Sequence, residues 1–303
     1  MKSKLPIIGI ALIFLVGLGI LLYPLISSAV NNFAARQQAE EYTQVTKEMP
    51  TERQKELLES AKKYNDSLTQ NVIIIDPFDK EAYEKIGREY AKALNVDGQG
   101  LIGYIDIPKI NVTLPINHST SEEVLARSAG HLQNTSMPIG GESTHAVISA
   151  HSAFPGQTLF DYLTDMEEGD EFYIRVLNRV LKYKVNQIKT VLPEETSDLR
   201  ITRGKDYVTL VTCTPYSINT HRLLVRGERV EYDDSKYIVT GAKAIDLVGD
   251  NIFFLGYKIP YWAAILVITG FVGMVVFIVV FFVRRGKKKK KAAHAEAQSG
   301  GGG

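Results

Sequence analysis

Hydrophobic and polar positions alternate in three regimes along the chain. From Leu5 to Ala35 no residue is charged, and the stretch IIGIALIFLVGLGILL is close to continuously apolar. That is enough for the roughly 20 helical residues that cross a bilayer. A second uncharged run covers 259–283, opens on Tyr261 and Trp262, and is followed at once by Arg284, Arg285 and Lys287 to Lys291. Interfacial aromatics ahead of such a run and a basic block behind it form a stop-transfer pattern. Lys2 and Lys4 precede the first run, so the positive-inside rule puts both termini in the cytoplasm and about residues 36–258 outside. Ser27-Ser28-Ala29 offers a small-residue cleavage site. A removed signal peptide is therefore the alternative to a retained anchor. The apolar run exceeds the usual core of about 7–15 residues, which favours the anchor.

Between the two runs the period changes from helix to strand. Residues 33–94 read as helical with one interruption. Thr51-Glu52-Arg53-Gln54 after Pro50 has the form of a capping box, and Leu57, Ala61, Tyr64 and Leu68 then share one helical face. An extended run, Val72 to Ile75, leads into Asp76-Pro77-Phe78, where Pro77 keeps Asp76 out of helical geometry. Asp79 suits the N-cap of a further helix with the face Ala82, Tyr83, Ile86, Tyr90 and Ala93, closed by Val96-Asp97-Gly98-Gln99-Gly100. From Leu101 onward short runs are cut by turn residues: 103–108, 112–116 and 146–150. Alternating 172–176 and 181–185 flank an Asn178-Arg179 turn, and 207–213 and 223–230 follow. Many short strands with one or two helical inserts predict a mostly β barrel or sandwich.

Composition then narrows the function. Lys+Arg number 35 against Asp+Glu 34, a net charge of +1, without the basic excess of a general nucleic-acid binder. One cysteine, Cys213, excludes an intrachain disulfide, so an exterior domain here must be stable on core packing. No internal repeat, phosphate loop or zinc-ligand spacing is present, and no cofactor or metal is called for.

The chemistry gathers at Cys213. It ends the β-branched strand Tyr207 to Cys213, and Pro215, which lacks an N–H, stops that strand from continuing. His221 and Arg222 open the next apolar run. If the two strands form a hairpin, Cys213 and Arg222, nine positions apart, lie at one rim. Alternation puts His221 and Arg222 on opposite faces, so at most one readily faces the thiol. A nearby cation favours the thiolate, and a fixed donor stabilises the oxyanion that forms when it attacks a carbonyl. A proton donor for the leaving amine is still required. Of the exterior histidines His118, His131, His145, His151 and His221, His151 follows the apolar run Ala146 to Ala150 and so caps a strand as Cys213 does; His145 opens the same strand at its other end.

Thr209-Leu210-Val211-Thr212-Cys213-Thr214-Pro215-Tyr216, followed by Asn219 to Gly227, resembles the Cys–Arg signature of class C sortases, the pilus-assembly enzymes of Gram-positive bacteria. Gly140 to Val147 with His151 resembles the family's histidine segment, and Gly103 to Ile110 its first barrel strand. The resemblance covers about 70–230. It implies an eight-stranded sortase-type β-barrel, with Cys213 as nucleophile, His151 as acid/base and Arg222 as oxyanion or substrate-positioning residue. It also implies the activity: cleavage of LPXTG-type sorting signals of pilin subunits between Thr and Gly, through a thioacyl-enzyme, and transfer to a lysine amine of another pilin. Pilus sortases carry an Asp-Pro-aromatic lid, which Asp76, Pro77 and Phe78 match. Two positions depart from the pattern: Ser152-Ala153 follows the histidine where Arg-Gly is common, and Ser217 stands where Gly is common.

The expected organisation is therefore 1–32 cytoplasmic start and first transmembrane helix, 33–98 exterior helical region with the lid at 76–78, and 99–235 catalytic barrel. A linker at 236–258, a second transmembrane helix at 259–283 and a basic cytoplasmic tail at 284–303 complete it. Expected partners are pilin subunits with C-terminal sorting signals and the lipid bilayer, and the expected location is the cell membrane with the catalytic domain outside. The alternatives are a housekeeping sortase that anchors proteins to cell-wall precursor and a non-catalytic surface scaffold or adhesin. A single-cysteine redox sensor would lack a resolving cysteine.

Overall fold

The structure is a computed structural model that describes residues 5–68, 73–79, 81, 87–232, 251–254 and 257–299. The helix-face residues Ala82, Tyr83 and Ile86, the start of the extended run at Val72, most of the 236–258 linker and the glycine tail lie outside the described residues. The chain divides into two compact units, 1–246 and 247–303.

In the first unit, α1 (Leu5–Glu48) is one helix that runs straight through the boundary expected at residues 32 and 33. No Gly or Pro falls between Leu25 and Glu48 to break it. After Pro50 comes α2 (Thr51–Ser67), which buries Leu57, Ala61 and Tyr64 on the expected face. The capping-box reading is corrected: Pro50 is the cap and no side chain caps the helix. Thr51 is already helical, and the Gln54 amide donates instead to the carbonyls of Met49 (2.8 Å) and Thr46 (3.2 Å), joining α2 to the end of α1. A short helix, α3 (Arg88–Lys92), buries Tyr90.

Eight strands then close a barrel: β1 (Leu101–Ile107), β2 (Val112–His118), β3 (Ala129–His131), β4 (Thr144–Ser149), β5 (Glu171–Val176), β6 (Arg179–Val191), β7 (Asp206–Thr214) and β8 (His221–Val230). Their order around the barrel is β1-β2-β3-β4-β7-β8-β6-β5, and β5 returns to β1. Closure removes the unpaired edges that would invite aggregation. The pairings β2–β3 and β4–β7 are parallel; the others are antiparallel. The parallel β4–β7 pair matters most for function. It sends the C-terminal ends of both strands to the same rim, although they lie about sixty residues apart in sequence. The interior is filled by Ile105, Ile107, Ile148, Phe172, Ile174 and Leu210, among others. Gly227 gives way to the stacked Phe172 and Tyr183 rings; a Cβ there would meet Phe172 at 2.6 Å.

A buried ion pair ties α1 to the wall. Arg175 on β5 meets Asp106 on β1 at 2.6 Å, with both side chains under a tenth exposed, and its Nη1 donates to Thr43 Oγ1 on α1 at 3.2 Å. Tyr42 donates to the Ile102 carbonyl and accepts from Leu177 N–H. Breaking one member of such a pair strands the other charge, so these contacts fix α1 on β1 and β5.

The second unit holds a two-stranded hairpin, β9 (Asn251–Phe254) with β10 (Tyr257–Pro260), and α5 (Tyr261–Ser299). The hairpin occupies the end of the expected linker. Among the described residues one helix, at Ile265–Arg285, is long and apolar enough to cross a membrane; the apolar part of α1, Ala11–Tyr23, is shorter than that. The expectation of two such helices is therefore met in one.

Candidate active site

Cys213 is the penultimate residue of β7 and pairs directly across the β7–β8 ladder with Arg222, while His221 pairs with Thr214. Residues directly opposite in an antiparallel pair present their side chains on one face. Arg222, not His221, thus shares the thiol's face. The return is made by a tight turn in which the Ile218 and Asn219 amides both bond to the Pro215 carbonyl.

His151 follows β4 at the same rim, since the Ala150 amide bonds to the Val211 carbonyl at 3.1 Å. Two hydroxyls lock the strand ends together: Thr212 Oγ1 donates to the Ala150 carbonyl (2.8 Å) and Ser152 Oγ to the Cys213 carbonyl (2.7 Å). The imidazole stacks on Phe154, with centroids 5.4 Å apart and planes at 18°. On another side it meets the Phe78 ring at 5.4 Å.

Three other histidines, His145, His131 and His118, are bonded inside the fold. His145 bonds the Arg200 carbonyl (2.8 Å) and Thr209 Oγ1 (2.7 Å), and burial lowers its pKa to about 4. His131 is wholly buried against the Ser136 carbonyl, and burial lowers it to about 3. His118 bonds the Gly100 and Ala93 carbonyls and is also lowered by burial.

The Asp76-Pro77-Phe78 turn covers this rim. Arg222 holds Asp76 by two parallel bonds, Nε to Oδ1 at 2.8 Å and Nη2 to Oδ2 at 2.6 Å, the bidentate geometry that makes guanidinium–carboxylate pairs strong. The guanidinium carbon also lies 5.1 Å from the Phe78 ring centre. Phe78 and Ile74 pack on Leu132, Val147, Leu199, Val211 and Leu224. Asn134 and Thr196 hold the carbonyls of Ile73 and Ile74.

Under this cover Cys213 is 7 % exposed. Burial pushes its pKa up to about 11; Arg222 pulls it down and Asp76 pushes it up again. The thiol is therefore protonated at neutral pH while the guanidinium is occupied.

Asp161 escaped the sequence reading. Its carboxylate accepts from the amides of Ala153 (2.9 Å) and Leu159 (2.8 Å), bracing the loop that follows His151. It also takes a hydrogen bond from Tyr216 of the β7–β8 turn, and burial raises its pKa. No periodicity marks an Asp whose partners are two backbone amides and a residue 55 positions away. The two departures from the family pattern find a physical meaning: Ala153 has φ +61° and Ser217 φ +63°, the left-handed region that glycine enters most readily.

A sortase-domain family model matches residues 105–230. Sortase C-1 of Streptococcus pneumoniae is 45% identical, with a TM-score of 0.61 over 65% of this chain and all of that one. The chain belongs to the sortase family. It is a cysteine transpeptidase of the class C branch. A second solved structure, a pilus-related sortase C of Group B Streptococcus, is 45% identical with a TM-score of 0.58 and covers 64% of this sortase and 97% of that chain. Sortase A of Bacillus anthracis is 26% identical over 175 residues, 54% of this chain and 80% of the other.

Proposed function

We propose that this sortase polymerises pilins, with Cys213 as nucleophile, His151 as acid/base and Arg222 as oxyanion and substrate-positioning residue. The observation that carries the reading is the rim itself. Cys213 and Arg222 are ladder partners, and His151 follows the parallel neighbour strand at the same end. The Cys213 thiolate attacks the threonine carbonyl of an LPXTG-type sorting signal while His151 holds the proton. The C–N bond breaks, His151 gives its proton to the leaving amine, and a thioester remains. The lysine amine of another pilin then attacks; a C–N bond forms, the C–S bond breaks, and His151 takes the amine's proton back. Arg222 supplies N–H donors to the oxyanion in both halves, as fixed donors do in acyl transfer.

Asp76, Pro77 and Phe78 act as a lid that a sorting signal must displace, because signal and lid need the same guanidinium. A ligand shifts such an equilibrium only by its differential affinity for the open state, and the groove under the lid supplies it. The Asp76–Arg222 pair favours this reading over a housekeeping sortase.

The domain plan places 99–235 as the catalytic barrel outside the cell membrane, between a first span in α1 and a second in α5. Lys2 and Lys4 on one side and the basic run 284–291 on the other hold both termini in the cytoplasm. The test is polymer formation in membranes from a pilin bearing a sorting signal. The unmodified chain yields covalent pilin ladders and Cys213→Ala yields none; ladders from Cys213→Ala at the unmodified rate would end the proposal.

A further inference from the structure

A groove of about 650 Å³ runs between α1 and the β1–β2 wall. On the helix it is lined by Asn31, Ala35, Gln38, Tyr42 and Val45, among others, the spacing of a single helical face. From Asn31 to Val45 is fourteen residues, about 21 Å at the helical rise, the length of about six residues of extended chain. One end reaches Gln157 and Thr158, on the same loop as Phe154, which stacks on His151. Phe154 and Gln157 are three residues apart, at most about 10 Å of chain. Ser27 Oγ and Asn31 Nδ2 both donate to the Gly156 carbonyl, at 2.9 and 2.8 Å, and so fasten the helix to that loop.

The lining is built for a polypeptide rather than for an apolar ligand. Gln38, Gln99 and Asn117 carry carboxamides, each a donor and an acceptor able to pair with peptide groups. Tyr104 lines the groove although it is only 3 % exposed, and its hydroxyl has no hydrogen-bond partner among the described residues. The ring is packed away while the hydroxyl opens on the groove, where it can pair with a bound chain. Two carboxylates, Glu41 and Asp97, lie near enough to act electrostatically on that phenol. Among the described lining residues the cation is Arg127, ion-paired with Glu123 at 3.4 Å; the Arg175 guanidinium, 5.9 Å from the centre of the Tyr104 ring, also acts on the phenol but is paired with Asp106.

We propose that this groove seats the second, amine-bearing substrate: an extended segment flanking the attacking lysine, with a basic side chain set among Glu41, Asp97 and the Tyr104 hydroxyl. The proposal rests on the transpeptidase reading above and adds where the acceptor docks. It separates the two substrates in space. The sorting signal takes the lidded rim, while the acceptor lies along α1 and reaches the thioester past the loop that carries Phe154.

Binding and turnover test it separately. The full-length Cys213→Ala chain in detergent is titrated with a short fluorescein-labelled peptide bearing two lysines, and with its norleucine counterpart. The proposal expects saturable binding of the lysine peptide only. Glu41→Gln with Tyr104→Phe should weaken it about 10-fold or more, the loss expected when hydrogen bonds to a charged group go. In the Cys213 chain the same pair of substitutions should raise the KM for the lysine peptide by a similar factor and leave cleavage of a sorting-signal peptide unchanged. Equal binding of both peptides, no binding, or an acceptor KM untouched by the substitutions overturns the groove. Loss of donor cleavage in step with transfer also overturns it, by showing that the two residues only hold the fold. Absence of any Cys213 adduct in the unmodified chain would instead fall on the catalytic reading, and the binding arm still decides the groove.

Discussion

Replacing Asp76 and Phe78 together by Ala should unseal the thiol. In the closed site the Cys213 pKa is pushed up to about 11, first by burial and then by Asp76, against the pull of Arg222. At pH 7.5 the thiolate share is then only about 0.03%. The double substitution deletes the carboxylate, frees the guanidinium to face the sulfur and admits water where the Phe78 ring packs. A thiol returned to its ordinary pKa of about 8.5 would be about 10% ionised, a gain of about 300-fold. Nucleophilicity falls with basicity, with a Brønsted slope of about 0.4–0.5, which takes back roughly tenfold. The net expectation is about 20–30-fold faster reaction with a bulky aromatic disulfide reagent. The rate should be followed from pH 6 to 11.5, with thermal unfolding as a control for the fold. The midpoint should move down toward 8.5, and Phe78→Ala alone should move it further than Asp76→Ala alone, because burial is the larger cause. Identical midpoints and rates in the unmodified chain and the double variant would refute the lid and leave Asp76-Pro77-Phe78 an ordinary turn.

Three further outcomes are expected. His151→Ala should lower turnover about 10²–10⁴-fold, the usual worth of a positioned acid–base group, while His221→Ala leaves the rate near unmodified and His145→Gln lowers the unfolding temperature instead; a rate loss that follows His221 would contradict the assignment. Burial holds His131 at about 3 and His145 at about 4, below the unfolded value near 6.5. The unfolded chain therefore binds more protons as the medium turns acid. This stability is whole above pH 6.5 and is lost as pH falls from there toward 4 and 3, by about 2 kcal/mol per histidine at pH 5; urea unfolding between pH 7.5 and 5 measures it, and a flat profile would be inconsistent with the buried neutral rings. Ala153→Gly and Ser217→Gly should each stabilise by about 0.5–1 kcal/mol, since relief of left-handed strain outweighs the added freedom of the unfolded chain; urea midpoints that fall would show that these two positions carry no strain.

What the sequence disclosed depended on how local the interaction is. Cys213 and Arg222 are joined by one short turn, so strand alternation alone was enough to bring them to one rim. His151 was readable as a strand end, but its placement at the Cys213 rim requires the parallel β4–β7 pairing, which no local pattern encodes. Asp76 lies 146 positions from Arg222, and only the family resemblance suggested the pair. Local rules also misled: Thr51 and Gln54 have the residue types of a capping box, yet Gln54 is drawn to the end of α1. The 32/33 boundary was set by a change in polarity, to which a helical backbone is indifferent. Asp161 and the open hydroxyl of Tyr104 left no trace in the periodicity, because their roles come from partners brought in by the closed barrel.

The central claim is that Cys213 becomes acylated. Intact-mass measurement of the full-length chain after incubation with an LPXTG-type peptide, quenched in acid, tests it most directly. The expected result is a mass increase equal to the peptide acid ending at its threonine less one water, mapped by fragmentation to Cys213, absent from Cys213→Ala and discharged by a lysine peptide. Cleavage of the peptide and its transfer to lysine with no adduct at Cys213, or with Cys213→Ala still active, would contradict it.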